Sequence, residues 1–454
     1  MVNFIIMHKY IPSNLDIDKL LSDVPPTFNY SRDCFVYILG LVTEIPAHTK
    51  GLLEKSTFVP INASILKQHV HNYRLYLDYL LLNGVFETDN RYIKEEKSKG
   101  YRYAQPYQTP VRHVEITKFT LIKGLTSEGN WERSMSQKYH ELKNWFDELQ
   151  YDYAGAEHWL REKYKADLKL GLHNTTPKFN ANLMNIMRLK EKDYYFRVDA
   201  TAGRLHTNLT SLKSELRGWL AWQGKPLVAN DLKCAQPLLL TALLSEEFYE
   251  NTSTKDAFEL SVLNPKVVKT IDTAAIKELI RSGAQDIKNY VQAVESDLYV
   301  FMQDALTKKG YSVPTRDNAK DIMYAVLYSS NKFFSQPDAF CKRYFNELFP
   351  AVYEIICHFK KQEPNALALL MQKAESTLIL DRITKRISKQ RPEIAIYTVH
   401  DAILSPAGTE DYIKQVITEE TVRAIGLLPT IKQELLSPLK PSTGALPMEY
   451  LGVA

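Results

Sequence analysis

Cysteine is scarce in this 454-residue chain, with four residues, Cys34, Cys234, Cys341 and Cys357. None stands at the short paired spacing that a disulfide framework, a zinc site or a redox pair requires, so the thiols read as reduced. Long apolar runs are absent too: no stretch approaches the roughly 18 residues of a membrane-spanning helix, and the N-terminal MVNFIIMHKY lacks the apolar length and cleavage pattern of a signal peptide. The expectation is a soluble chain in the cytoplasm with no membrane partner. Repeats and low-complexity tracts are missing, and so is a strong charge imbalance. A net charge of +4 permits a nucleic-acid partner without arguing for one, because that argument needs cations clustered on one face.

What is present is the make-up of a globular protein, 45% hydrophobic and 24% charged, long enough for two or three cores. Near the N-terminus, Asn62 is placed to cap a helix ending near Lys67, and Tyr73, Leu77, Leu80 and Leu81 repeat at helical spacing before Asn83-Gly84 stops them. Strands at Val85-Phe86 and Tyr101-Arg102-Tyr103 then flank a loop carrying Arg91, Lys94, Lys97 and Lys99. Two helices followed by a basic two-stranded loop resemble a winged helix, in which Arg74 on the second helix and Lys97 and Lys99 in the loop would touch duplex DNA. Plain structural support is the competing reading of this segment.

Further on, Met135, Tyr139, Leu142, Trp145, Phe146 and Leu149 follow a helical period, and a second helix is predicted through Trp159 to Tyr164. Residues 285 to 308 predict one long amphipathic helix, and a mostly helical region runs to about 390. Two short stretches read as buried strands, Pro226 to Ala229 and Ala395 to Val399. Each is followed at once by an acid, Asp231 and Asp401. An aspartate after a strand is usually a turn or cap residue. If the two strands are neighbours, however, the pair could share two Mg2+ ions, with Mn2+ able to substitute. One ion would activate a hydroxyl and the other would neutralise a leaving pyrophosphate.

Four motifs in order make residues 203 to 404 resemble the palm and fingers of the family A DNA polymerases, the bacterial polymerase I type. The first is Gly203-Arg204-Leu205-His206-Thr207, followed by Asn208 and Arg217. The second, Leu227 to Gln236, holds Asp231. The third is Arg316 to Tyr328, where Arg316, Lys320, Tyr324 and Tyr328 recur every fourth residue on one helical stripe. Cations followed by aromatic rings suit a triphosphate laid along a helix. The fourth, Tyr397 to Leu404, holds His400-Asp401.

The resemblance implies a role for each matching residue. Asp231, Asp401 and the backbone carbonyl of Leu232 would bind metal, while Arg316, Lys320 and Tyr324 would bind the nucleotide. Arg204, Gln372 and His400 would contact the primer end, and Tyr328 the template side. Three positions depart from the family pattern. Gln236 replaces the Glu that screens the sugar 2'-position, Ser329 replaces a Gly after the last Tyr, and Ala402 replaces a Glu. The first and third leave room for a single-subunit RNA polymerase or primase-like enzyme; the second and third, with a compressed thumb, for an inactive DNA-binding replication or mobility factor.

The expected fold is α+β: a right-hand polymerase with an antiparallel palm sheet, helical fingers and a short thumb. The expected domains are a winged-helix-like unit over 1–110, a helical linker and thumb over 111–200, and palm and fingers over 201–454, with Lys255 to Asp297 as an insertion. No exonuclease triad stands out. The implied enzyme is a monomeric DNA polymerase of a phage, plasmid or transposable element, acting in a bacterial cytoplasm on primed DNA and nucleoside triphosphates.

Overall fold

A computed structural model describes residues 7–49, 51–93, 97–126, 137–250, 257–259 and 271–439. Three apolar cores organise them.

The N-terminal core forms around the helix Arg32–His48, apolar on nearly every side from Cys34 to Val42 and therefore buried all round. β1 (Met7–Pro12) crosses it. A small antiparallel sheet follows, from β2 (Val59–Pro60), β3 (Phe86–Thr88) and β4 (Gly100–Tyr103) in the order β2-β4-β3. Between β2 and β3 lie the helices Ala63–His69 and Tyr73–Leu82. Asn62 caps the first, accepting from the Ser64 amide at 2.8 Å, and the second stops at Asn83-Gly84, where Gly84 takes a left-handed φ of 64°. Asp89 pins the base of the loop by accepting from the Gly100 amide at 2.9 Å. Arg91, Lys97 and Lys99 lie among the described residues of that loop; Lys94 falls outside them.

β5 (Val111–Ile116) returns to pair antiparallel with β1 from Met7↔Ile116 to Pro12↔Val111, and Leu121 and Ile122 bury in the same core. The N-terminal unit therefore runs past the expected boundary at 110, because β1 finds its partner in β5, whose paired residues run from Val111 to Ile116.

The predicted helix ending at Leu149 is shorter than its periodicity implied. Its first residue, Met135, lies outside the described residues. A helix His140–Asn144 tightens into a 3-10 turn, and Leu149 opens strand β6 (Leu149–Tyr151). Cross-strand pairing overrode the helical period here. Asp152 then caps the helix Tyr153–Lys169, which packs on Thr175–Lys190. Both helices share a core with the main sheet and with Tyr10 and Ala47 of the N-terminal unit.

β7 (Phe196–Val198) and β8 (Leu205–Thr207) form a separate ribbon. The main sheet is built from β6 with β9 (Leu220–Trp222), β10 (Lys225–Leu232), β11 (Tyr397–Val399), β12 (Ala402–Pro406) and β13 (Ile431–Leu435). Its order is β11-β12-β10-β9-β6, with β13 on the other side of β10, and every pairing is antiparallel. The class is thus α+β with an antiparallel sheet, as expected.

The predicted helix over 285–308 is two helices, Ala284–Ser296 and Leu298–Lys308. Asp297 breaks it, taking an extended conformation and capping the second helix through the Tyr299 and Val300 amides. In the stretch expected to be an insertion, Ile276, Ile280, Tyr290 and Val294 bury in the main core, so its described part is integral to the fold. The helix through Gln372 runs Ala366–Ser376 and continues as a π-helical segment, Thr377–Thr384, a form often found near functional sites. No helix among the described residues is long and apolar enough to cross a membrane.

Candidate active site

Asp231 lies on β10 near the middle of the main sheet, where side chains alternate between the packed face and the open one. Its cross-strand partners are Ala402 on β12 and Lys432 on β13. Asp401 follows His400 in the two-residue connection between β11 and β12, where Val399 and Ala402 are paired. His400 takes a left-handed φ of 55°, the conformation that closes so tight a turn. The Leu232 amide lies 3.5 Å from the Asp401 carbonyl. Two acids remote in sequence therefore meet at one end of adjacent strands.

Burial raises the pKa of Asp231, while Lys432, Lys320 and Arg217 oppose the rise. Asp401 is pushed up to about 7, first by burial and then by the charges of Asp231 and Glu375. The opposing cations are engaged elsewhere: Lys432 pairs with Glu434, Arg217 Nε donates to the Leu212 carbonyl at 3.1 Å, and Lys320 sits over the Tyr324 ring. Two partly buried carboxylates, one of which raises the pKa of the other, form a site whose ionised state is favoured by an external cation. A hard divalent ion with oxygen ligands fits this donor chemistry. Among the described residues no group of three or more His, Cys, Asp or Glu side chains could hold a metal. The side-chain donors on offer are therefore the aspartate pair.

The helix Arg316–Tyr328 starts at a capping box between Thr315 and Asn318. Its stripe is open: Arg316, Lys320 and Tyr328 are partly exposed and Tyr324 is exposed, while Ala319, Ile322, Met323, Val326 and Leu327 face the core. Arg316 pairs with Asp297 at 3.1 Å and lies over the Tyr299 ring. The charge of Lys320 acts on Asp231, so the helix lies within electrostatic reach of that acid. Asp297 was missed in the sequence, although an Asp before an apolar run is a cap signal that would have broken the long helix there.

A hydrogen-bond chain ties this helix to the sheet. The Tyr328 hydroxyl donates to Gln236 Oε1 at 2.6 Å and also meets Gln372. Gln236 Nε2 donates to Glu375 at 3.3 Å, and Arg204 Nη2 donates to both Glu375 oxygens at 2.8 Å. Glu375 is 3% exposed, and a buried carboxylate with a guanidinium partner is a strong organiser. It is a second residue that sequence reasoning passed over, because within a helix it resembles any polar position. Lys432 and Glu434 are the third and fourth. No local signal marked them, because Lys432, Gln433 and Glu434 are three polar residues in a row and only Ile431 and Leu435 at the strand ends are apolar.

In the N-terminal unit, Arg74, Lys97 and Lys99 are exposed, with Lys97 paired to Asp89 at 3.2 Å. The open side of Tyr73–Leu82 carries Arg74 and Asp78 beside Leu75 and Leu82, which is not a basic surface. A cavity of about 520 Å³ at the junction of this unit with Tyr153–Lys169 and Thr175–Lys190 is lined by Arg102, Tyr107, Gln108, Tyr164 and His173, among others. None of the residues expected in the active site lines it.

No protein-family model matches the chain, and no curated protein does. A solved structure, the POL domain of Pol1 from M. smegmatis in complex with DNA primer-template and dNTP, is similar with a TM-score of 0.37 and 14% identity over 62% of this chain. The match spans 55% of that polymerase chain. So slight an overlap carries no argument, and the functional case rests on the site.

Proposed function

We propose that this chain is a template-directed DNA polymerase that extends a primer 3'-hydroxyl, using a right-hand fold whose palm is the main sheet and whose fingers carry Arg316–Tyr328. The observation behind this reading is the acid pair on adjacent strands facing a helix with two cations and two aromatic rings.

Asp231, Asp401 and the Leu232 carbonyl would hold Mg2+ or Mn2+. Two such ions supply a lowered hydroxyl pKa and charge neutralisation at the departing pyrophosphate. Arg316 and Lys320 bind the triphosphate and stabilise charge developing on it. Tyr324 offers its exposed ring to the sugar and base, and Tyr328 stands on the template side. Gln236 lies beneath the sugar, fixed by Tyr328 and Glu375, and Arg204, Gln372 and His400 hold the primer end. Phosphoryl transfer depends chiefly on positioning and electrostatics, and these residues supply both. With the N-terminal unit read as a winged helix, duplex contact falls on Arg91, Lys97 and Lys99 rather than on the mixed helix face.

The test is incubation of the purified chain with a labelled primed template, Mg2+ and either deoxyribonucleotides or ribonucleotides, with and without the primer. Primer-dependent extension by deoxyribonucleotides is expected. Extension by ribonucleotides alone would select the RNA polymerase or primase reading, and absence of any extension would select the inactive DNA-binding reading.

A further inference from the structure

The residue directly across from Asp231 on β13 is a lysine, and two residues further along the same strand stands a glutamate across from Ala229. Directly opposed residues of an antiparallel pair project from the same face, with Cβ atoms about 4.5–5.5 Å apart. Residues two apart on a strand also share a face. Asp231, Lys432 and Glu434 therefore line one side of the sheet, with Ala402 flanking Asp231 on β12. The Lys432 and Glu434 side chains are 54% and 55% exposed, so they stand in the open space above the sheet.

An ammonium in that place competes directly with any metal ion for Asp231. After burial, Lys432 is the leading influence on the Asp231 carboxyl, ahead of Lys320 and Arg217, and Glu434 acts on it in the opposite sense. Yet the ion pair Lys432 makes is with Glu434. The other charged groups around the acids have separate tasks: Arg217 reaches the Leu212 carbonyl, Lys320 belongs to the nucleotide-facing helix, and Glu375 is bound to Arg204.

We propose that Lys432 and Glu434 are positioning residues that together set how tightly the Asp231 and Asp401 pair takes a divalent cation. Lys432 supplies a resident counter-charge that weakens metal binding, and Glu434 draws that charge aside and restores the attraction. This inference rests on reading the two aspartates as the metal-holding pair.

The test is calorimetric titration of the full chain with Mn2+ at low salt and without nucleotide. Lys432→Gln should bind Mn2+ about tenfold more tightly and Glu434→Gln about tenfold more weakly, the scale of one unit charge moved nearby at partial exposure. The double variant should return close to the starting affinity. The spread should shrink at high salt, because half-exposed charges are screened. Both side chains are open to solvent, so thermal melts should stay unchanged. Single variants within twofold of the unaltered chain, or both shifted in one direction, would overturn the proposal. Binding that persists in Asp231→Asn, or none in the unaltered chain, would overturn both the proposal and the metal reading. Asp231-dependent Mn2+ binding that responds to the pair, in a chain that extends no primer, would leave this inference standing and remove the polymerase reading.

Discussion

Two like-charged pairs lie in the same half of the molecule and differ in how their charges are met. Lys342 and Lys360 are 0% and 2% exposed, and Lys360 is held down to about 7 by burial and then by Lys342. Asp401 is pushed up to about 7 by burial and then by Asp231. The lysines have partners: Lys360 donates to the Val326 carbonyl at 2.7 Å, and Lys342 to the Ser330 and Ser329 carbonyls at 2.6 and 3.3 Å. Those carbonyls close the C-terminal end of Arg316–Tyr328, where a positive charge suits the helix dipole. The aspartates, by contrast, face cations that are held by other groups. A buried cation seated on backbone carbonyls holds structure, whereas a carboxylate pair whose nearby cations are paired elsewhere is a candidate for a ligand.

The widest effect expected on this contrast is in pH dependence. Between about 7 and the ordinary lysine value of 10.5 the unfolded chain binds more protons at Lys360 than the folded one. Folding stability should therefore rise with pH through that window, by up to about 1.4 kcal/mol per pH unit from this group. Lys360→Met should remove that increment in denaturant titrations. Asp401 runs the other way: from the ordinary 3.8 up to about 7 the folded chain holds the extra proton, so its contribution to stability falls as pH rises through that range. Asp401→Asn should flatten this decline, and equal slopes in variant and unaltered chain would erase the contrast.

Next in size, on the proposed polymerase function, is the effect at the helix Arg316–Tyr328. Arg316→Ala and Lys320→Ala should each lower kcat/KM for the nucleotide by about 100-fold, the scale of losing one electrostatic stabiliser. Primer-template affinity, followed by fluorescence anisotropy, should stay level. Smaller again is a Mg2+ effect on melting: ligand at ten times its Kd should stabilise the chain by about 1.4 kcal/mol, and Asp231→Asn should not respond. Least is the N-terminal loop, where Lys97→Ala with Lys99→Ala should reduce the salt slope of duplex binding by about one to two. An unchanged slope would return that unit to a structural role.

Much of the fold could be read from local pattern. Asn62 and Asn83-Gly84 bracket the two N-terminal helices because caps act within a turn of chain. The strands leading to Asp231 and Asp401 showed as short apolar runs, and the four-residue stripe of Arg316–Tyr328 follows from helical geometry alone. What escaped depended on distant partners. Leu149 belongs to a helical period yet pairs with Trp222, and β13 gains its meaning only beside β10. Glu375 is distinguished by Arg204 and Gln236, which no local window contains. Asp297 is the exception, since its cap signal lay in plain sequence and the longer apolar period concealed it.

The decisive measurement is extension of a labelled primer on its template by the unaltered chain, Asp231→Asn and Asp401→Asn, all with Mg2+ and with matching circular dichroism spectra. Robust extension by the first and a loss of roughly a thousandfold or more in both variants is the predicted result. Extension by either variant at an undiminished rate would show that these two carboxylates do not carry the chemistry.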